Sequence, residues 1–358
     1  MYNKLTLSSN KVINSWCMYD WANSVYSLVI TTAIFPIYFN SVTTSLDGSY
    51  IVSFFGIQIV NSVLYSYSLS FSFLLLTIIQ PILSGIADYV GRKKLFLKIF
   101  MYLGSASCIS LYFFDGSNIE FGVICSVLAS LGFSGSLVFY NAFLPEIVSR
   151  DKFDRVSARG FSFGYLGSVI LLIICLVLIT FYDFFGFSNS ALATRFTFLL
   201  VGIWWIVFSQ ITFITVPEVI KNKKLSFSIL SYGTNELIKV WNYLKNVRNL
   251  KLFLFSFFFY SMGVQTVMLI ASYFGSKELN LDQNKLILTI LIIQIVAIFG
   301  AYFFAYISKY KGNKFSLIIM NILWIIICIS AYFIQDENQF YLLATTVGLV
   351  MGGIQSLS

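Results

Sequence analysis

Apolar runs long enough to cross a bilayer return ten times along this chain, near residues 16–39, 63–87, 95–114, 120–143, 160–182, 195–216, 252–274, 286–307, 315–334 and 340–358, with short polar breaks between them. A hydrocarbon core about 30 Å thick takes roughly 20 residues of α-helix, so the pattern predicts ten transmembrane helices. The first run carries Asp20 and Asn23 and lacks a small-residue cleavage site, so it is expected to stay as a helix and not to be removed as a signal peptide. The longest break, 217–251, follows the sixth run. It predicts a six-helix half over 1–216, a basic linker over 217–251 and an incomplete second half of four helices over 252–358. Within the linker Leu237, Val240, Trp241, Leu244 and Val247 share a helical face, with Lys239, Lys245 and Arg248 mostly elsewhere. That segment reads as an amphipathic helix lying on an anionic leaflet, a solvated linker being the alternative.

Composition strengthens the membrane reading. Of 358 residues 58% are hydrophobic and 11% charged, with a mean hydropathy of +0.84, whereas soluble domains are about a quarter charged. The few cations fall on one side of the alternating breaks: 1–15, 88–98, 144–159, 217–251 and 308–314 hold 20 of the 23 Lys and Arg, leaving Arg195, Lys277 and Lys285 for the other side. The positive-inside rule then expects the N-terminus and the linker in the cytoplasm. This asymmetry accounts for the net charge of +8 without a nucleic acid partner. There is no histidine, and Cys17, Cys108, Cys125, Cys175 and Cys328 all lie in apolar runs, so no metal site, cofactor or disulfide is expected. With no N-x-Ser/Thr sequon and no N-terminal extension, a bacterial inner membrane fits.

Polar residues inside the runs form stripes. Asp20, Asn23, Ser24, Ser27 and Thr31 are spaced by threes and fours, which at helical periodicity confines them to an arc of about 100°. Polar groups are costly against lipid tails, so this face is expected to meet other helices or an aqueous cavity, and an intramembrane carboxylate is a functional candidate. A structural reading of Asp20 stays open, because acidic residues are also favoured in the first turns of a helix. The second run repeats the pattern with Ser66, Ser70, Thr77, Gln80 and Ser84, read as helix packing. The seventh carries Ser261, Gln265 and Ser272, with Gln265 a cavity candidate, and the fifth has a Gly160, Gly164, Gly167 stripe read as packing.

The break after the second run, Ala87-Asp88-Tyr89-Val90-Gly91-Arg92-Lys93-Lys94, resembles the cytoplasmic signature of the major facilitator superfamily. Gly91 permits a tight turn and the cations hold the loop inside; the resemblance implies that Asp88, Gly91, Arg92 and Lys93 form a conformational latch. Tyr19-Asp20-Trp21-Ala22-Asn23-Ser24, Tyr140-Asn141-Ala142-Phe143-Leu144-Pro145-Glu146-Ile147, Gly263-Val264-Gln265-Thr266 and the ending from Gly348 to Ser358 are similar to the autophagy-type vacuolar effluxers within that superfamily. The resemblance implies an all-α membrane protein, a bundle of two six-helix halves of which ten helices are present, so that the chain is expected to stop two helices short. It also implies that helices one, four, seven and ten line a cavity at the interface between halves. In this sequence those helices supply Asp20, Asn23, Ser27, Thr31, Tyr140, Asn141, Tyr260, Gln265 and Gln355. Some members carry an acidic residue just before the Gly-Val-Gln-Thr segment; this chain has Met262 there, so no role for that carboxylate carries over.

A set rich in neutral hydrogen-bonding groups suits a small polar or zwitterionic solute, and the family's eukaryotic members are linked to amino-acid efflux. The expected function is therefore secondary transport by alternating access, with the bilayer and a small-molecule solute as partners and a proton as the candidate coupling ion. A non-transporting membrane fragment or partner subunit is one alternative. An intramembrane enzyme is another, although no nucleophile–base pairing is visible. The cation asymmetry makes the topology testable by reporter fusions: residue 230 should report cytoplasmic, and residues 45, 118 and 337 external. A cytoplasmic report at 118 would overturn the helix count or the orientation.

Overall fold

The structure, a computed structural model, describes residues 9–45, 48–218, 238–239, 241–277, 279, 281 and 283–358. The ten expected spans are all helical. They are α1 (Asn10–Thr43), α2 (Asn61–Val90), α3 (Lys93–Ser110), α4 (Ile119–Asn141), α5 (Phe153–Thr180), α6 (Ser190–Thr215), α7 (Arg248–Lys277), α8 (Gln283–Lys311), α9 (Asn313–Ala331) and α10 (Glu337–Leu357). Each contains a stretch long and apolar enough to cross a membrane. Of the amphipathic segment foreseen in the linker, Leu237 and Val240 lie outside the described residues, as does the side chain of Ser272; residues 241–246 are helical with Trp241 exposed and Lys245 over its ring.

Two features were not foreseen. A β-hairpin of Ile51–Phe54 (β1) and Ile57–Val60 (β2) joins α1 to α2, in a stretch too short and too apolar to stand out from the runs on either side. Within α1, residues Tyr26–Ile34 wind as a π-helix, so that Phe35 N–H donates to Ile30 O, five residues back. Pro36 follows directly. A proline lacks the N–H of the ordinary helical bond and its ring clashes with the carbonyl four residues earlier, and the turns before it open to the wider form.

The packing divides the chain into two compact units, one of 1–147 with 170–239, the other of 148–169 with 240–358. A linear split at the linker would count all of α5 with the first half; instead its first part packs with the later helices and its remainder with the earlier ones. In the first unit α3 and α4 approach at glycines, a Cβ on Gly132 meeting the Gly104 backbone at 2.3 Å. Gly104 also seats the fully buried Trp205 of α6. Of the polar stripe of α2 expected to pack on other helices, Gln80 does so, while three of its members do not. Ser66, Ser70 and Thr77 are exposed, each hydroxyl bonded to the carbonyl four residues back. It is Ser72 and Gln80 that face α4, through Ser130 at 2.7 Å and the Gly135 carbonyl at 3.2 Å. Which edge of a polar stripe meets a neighbour depends on the helix's rotation, which sequence spacing leaves free.

In the second unit α8 and α10 lie in near-backbone contact, and Phe304, Met320, Trp324, Val350 and Ile354 centre the core. Ala158 of α5 packs on Ala301 and Ala305 of α8, and Asp154 accepts a hydrogen bond from Ser308. A Cβ on Gly352 would stand 2.0 Å from the Ala297 carbonyl oxygen, a backbone clash that no side-chain rotation relieves. Gly352→Val is expected to cost at least the ~1–3 kcal/mol typical of overpacking. It should lower the thermal midpoint of the detergent-purified protein sharply, whereas Gly263→Ala, with nothing within 4 Å, should leave it unchanged. Equal midpoints for the two would refute the close approach of α8 and α10.

Candidate translocation site

Helix α1 begins earlier than its apolar run suggested, at Asn10, with Ser9 as N-cap accepting from Val12 N–H at 3.3 Å. Asp20 therefore sits ten residues into the helix, about 15 Å along its axis. The helix-dipole explanation for an acidic residue there fails, because that effect fades within the first turn. The carboxylate is 6% exposed, and its Oδ2 accepts a 2.7 Å hydrogen bond from the Tyr140 hydroxyl of α4. Among the described residues no lysine or arginine pairs with it.

Tyr140 is fixed from α1 as well. The Trp16 indole N–H donates to its backbone carbonyl at 3.1 Å. Its ring stacks on Trp16 at 4.4 Å and on Tyr19 at 5.1 Å. Helix α6 adds two hydrogen bonds to carbonyls of α1, from Thr212 to Ser15 at 2.6 Å and from Trp204 to Trp21 at 3.2 Å. Three helices thus hold one carboxylate and one phenol in a dry interior, where hydrogen bonds to a charged group are short and strong.

Asn23 lies one turn further and is fully buried. Its Oδ1 accepts from Ser24 at 3.5 Å, and its Nδ2 has no partner among the described residues. Ser27 and Thr31 fall in the π-helical stretch, both half-buried. Asn141, at the end of α4, is exposed. In the second unit Gln355 of α10 accepts from the Tyr165 hydroxyl of α5 at 2.6 Å, and Tyr260 of α7 is half-buried with its hydroxyl 3.0 Å from Ser358 Oγ. Gln265 of α7 is exposed. The structure thus joins Asp20 directly to Tyr140, and Gln355 to Tyr165, which sequence reasoning passed over inside the Gly160, Gly164, Gly167 stripe. All three of those glycines are buried. A polar aromatic amid packing glycines was the available signal.

The loop after α2 is built around Lys93. Gly91 closes α2 in the left-handed region, φ 70°, and its N–H and that of Arg92 both donate to Ala87 O, which is why glycine is needed there. Lys93 reaches Asp88 at 3.0 Å and Glu146 at 2.8 Å, the latter in the short helix Leu144–Ile147 after α4. Lys94 N–H donates to Glu218 Oε1 at 2.6 Å, and its ammonium meets the carbonyls of Phe213 and Val216 at the end of α6, the favourable end of the helix dipole for a cation. Glu146 and Lys94, neither foreseen as part of this loop's bonding, tie it to α4 and α6.

A sequence profile for Atg22-like vacuole effluxers matches residues 8–358. The chain belongs to the Atg22-like vacuole effluxer family. Among its relatives, YxiO of Bacillus subtilis (strain 168), an uncharacterized MFS-type transporter, is 32% identical over 96% of this chain and 78% of its own length. Autophagy-related protein 22 of Coccidioides immitis (strain RS) is 22% identical over 98% of this chain and 76% of its own. The solved structure of the MFS proton:xylose symporter XylE bound to 6-bromo-6-deoxy-D-glucose superposes with a TM-score of 0.62 at 13% identity, covering 99% of this chain and 81% of that one. This Atg22-like chain therefore has the major facilitator fold. It is a multi-pass membrane protein and a secondary transporter, in a group of transporters that are not enzymes.

Exposed ion pairs contribute about 0.2–1 kcal/mol each, and here the shared cation is 18% exposed against 56% for Asp88 and 41% for Glu146. Lys93→Met removes both pairs and should lower the thermal midpoint more than Glu146→Gln, which removes one. A smaller drop for Lys93→Met than for Glu146→Gln would contradict the shared-cation geometry.

Proposed function

We propose that this transporter exports a small polar solute, an amino acid being the class that best suits its candidate residues, and that Asp20 couples export to a proton. The observation that carries the coupling role is the buried carboxylate bonded to one phenol and, among the described residues, paired with no cation. A proton taken up or released there changes the hydrogen bond between Asp20 and Tyr140, and with it how α1 and α4 are held together. The neutral character of Asn23, Ser27, Thr31, Asn141, Tyr260, Gln265 and Gln355 supports a zwitterionic solute over a highly charged one.

Transport proceeds in this reading by alternating access, with ligand and proton shifting the population between inward- and outward-open states. Asp88, Gly91, Arg92 and Lys93 act as a latch in that exchange, a role supported by the ties from this loop to α4 and α6. The setting is a bacterial plasma membrane with a cytoplasmic N-terminus, supported by the cation asymmetry and by the Bacillus relative.

The test is Asp20→Asn in proteoliposomes loaded with radiolabelled amino acids. Uphill transport driven by a proton gradient is expected to disappear while exchange down the solute gradient survives. Loss of both in a folded protein would assign Asp20 to solute binding and reject coupling. Transport at the normal rate and with the normal pH dependence would leave the carboxylate no part in either.

A further inference from the structure

The β1–β2 hairpin is an unusual element to find between two transmembrane helices, because two strands alone are marginal in water and a membrane interior tolerates no open strand edge. Its residues 48–60 contain no charged side chain. Tyr50, Ile51, Phe55 and Ile57 are each more than half exposed, Phe55 the most at 70%. On the inner side Val52 is buried and anchors the ribbon to the protein.

Both ends of the ribbon are tied to the first turns of spanning helices. At its base the Asn61 N–H, where α2 begins, donates to Tyr50 O at 2.9 Å, and the Asn61 side chain bonds Asn40 and Thr43 at the end of α1, each at 3.0 Å. At its tip the Phe55 N–H donates to Glu120 Oε1 at 2.9 Å, in the first turn of α4. An element fixed at both ends to helix starts lies along the surface that those starts define. A helix of spanning length has its ends near the boundary of headgroups and acyl chains. The exposed face of α2 continues the apolar strip downward through Val63, Tyr67, Phe71 and Leu74.

The turn carries a second signal. Phe55 and Gly56 both have positive φ, 48° and 82°, as the two-residue hairpin turn requires. Asparagine or glycine occupies the first of these positions at little cost, and a bulky side chain is strained there. Strain of this kind persists where the side chain is wanted for something other than the turn, and here the side chain is an exposed phenyl ring.

We propose that the hairpin is a membrane-surface anchor, with Phe55 and Ile57 inserted among the headgroups and upper acyl chains of the leaflet at the starts of α2 and α4. Tyr50 on the same ribbon is of the kind that favours that zone, apolar rings such as Phe55 reach the headgroup–acyl boundary from surface-lying elements, and the anchor links lipid packing to these ends of α1, α2 and α4 through Asn61 and Glu120.

Spin labels placed at Phe55→Cys or Ile57→Cys, in a full-length Cys328→Ser background since the other four cysteines are buried, read this directly in palmitoyl-oleoyl-phosphatidylcholine vesicles. Tyr67→Cys on α2 serves as the lipid reference and the exposed loop position Ser117→Cys as the aqueous one. Collision with oxygen should exceed collision with a water-soluble nickel chelate several-fold at 55 and 57, as at 67, with the order reversed at 117. Nickel access at both hairpin positions equal to that at 117 would overturn the proposal. So would dipolar coupling between labels on different molecules that vanishes on dilution with unlabelled protein, since it would make the tip a contact between copies.

Discussion

In the hydrocarbon of a bilayer a polar group has no water to turn to, so every donor and acceptor must be answered from inside the protein. The first unit is organised by that demand. Asp20 is the group hardest to bury, and the helices around it supply what it needs: α4 the Tyr140 hydroxyl, α1 the Trp16 and Tyr19 rings that hold Tyr140 in place. The hydrogen bonds from Thr212 and Trp204 fix α6 to α1 beside them. Glycines at α3 and α4 bring the surrounding backbones close enough for this to be a dry interior.

The two units meet the same demand in different ways. In the first, polar satisfaction runs through long-range side-chain contacts to one carboxylate. In the second, α8 and α10 lie so close that backbone and small residues fill the contact, and the first part of α5 adds Tyr165 to Gln355 and Asp154 to Ser308.

At the helix ends the chemistry changes from neutral to ionic. The Lys93 and Lys94 contacts gather α2, α3, α4 and α6 on one side, whereas at the starts of α2 and α4 the contacts are the neutral Asn61 cluster and the hairpin held by Glu120. Ion pairs in water are individually weak and exchange readily, which makes for a loosely held junction. A hairpin fixed by backbone hydrogen bonds suits one that stays in place.

The number of spans, their approximate limits and the side on which the cations gather were determined by the sequence, because hydropathy and charge are sums over residues and need no partner. The motif around Asp88 and Gly91 was legible for the same reason: a left-handed turn needs glycine wherever it occurs. What only the tertiary structure decided was rotation and pairing. Spacing placed Asp20 on a polar stripe but could not say that Tyr140 would be its donor. It put Ser66, Ser70 and Thr77 on the packing face of α2 with Gln80 and passed over Ser72, and although Tyr165 stood out as a polar aromatic among packing glycines, spacing could not name Gln355 as its partner. Helical periodicity fixes which residues share a face, while the direction of that face is set by contacts between segments distant in sequence. The start of α1 at Asn10 was hidden likewise, because its polar first turns are carried by packing on other helices and not by their own hydropathy.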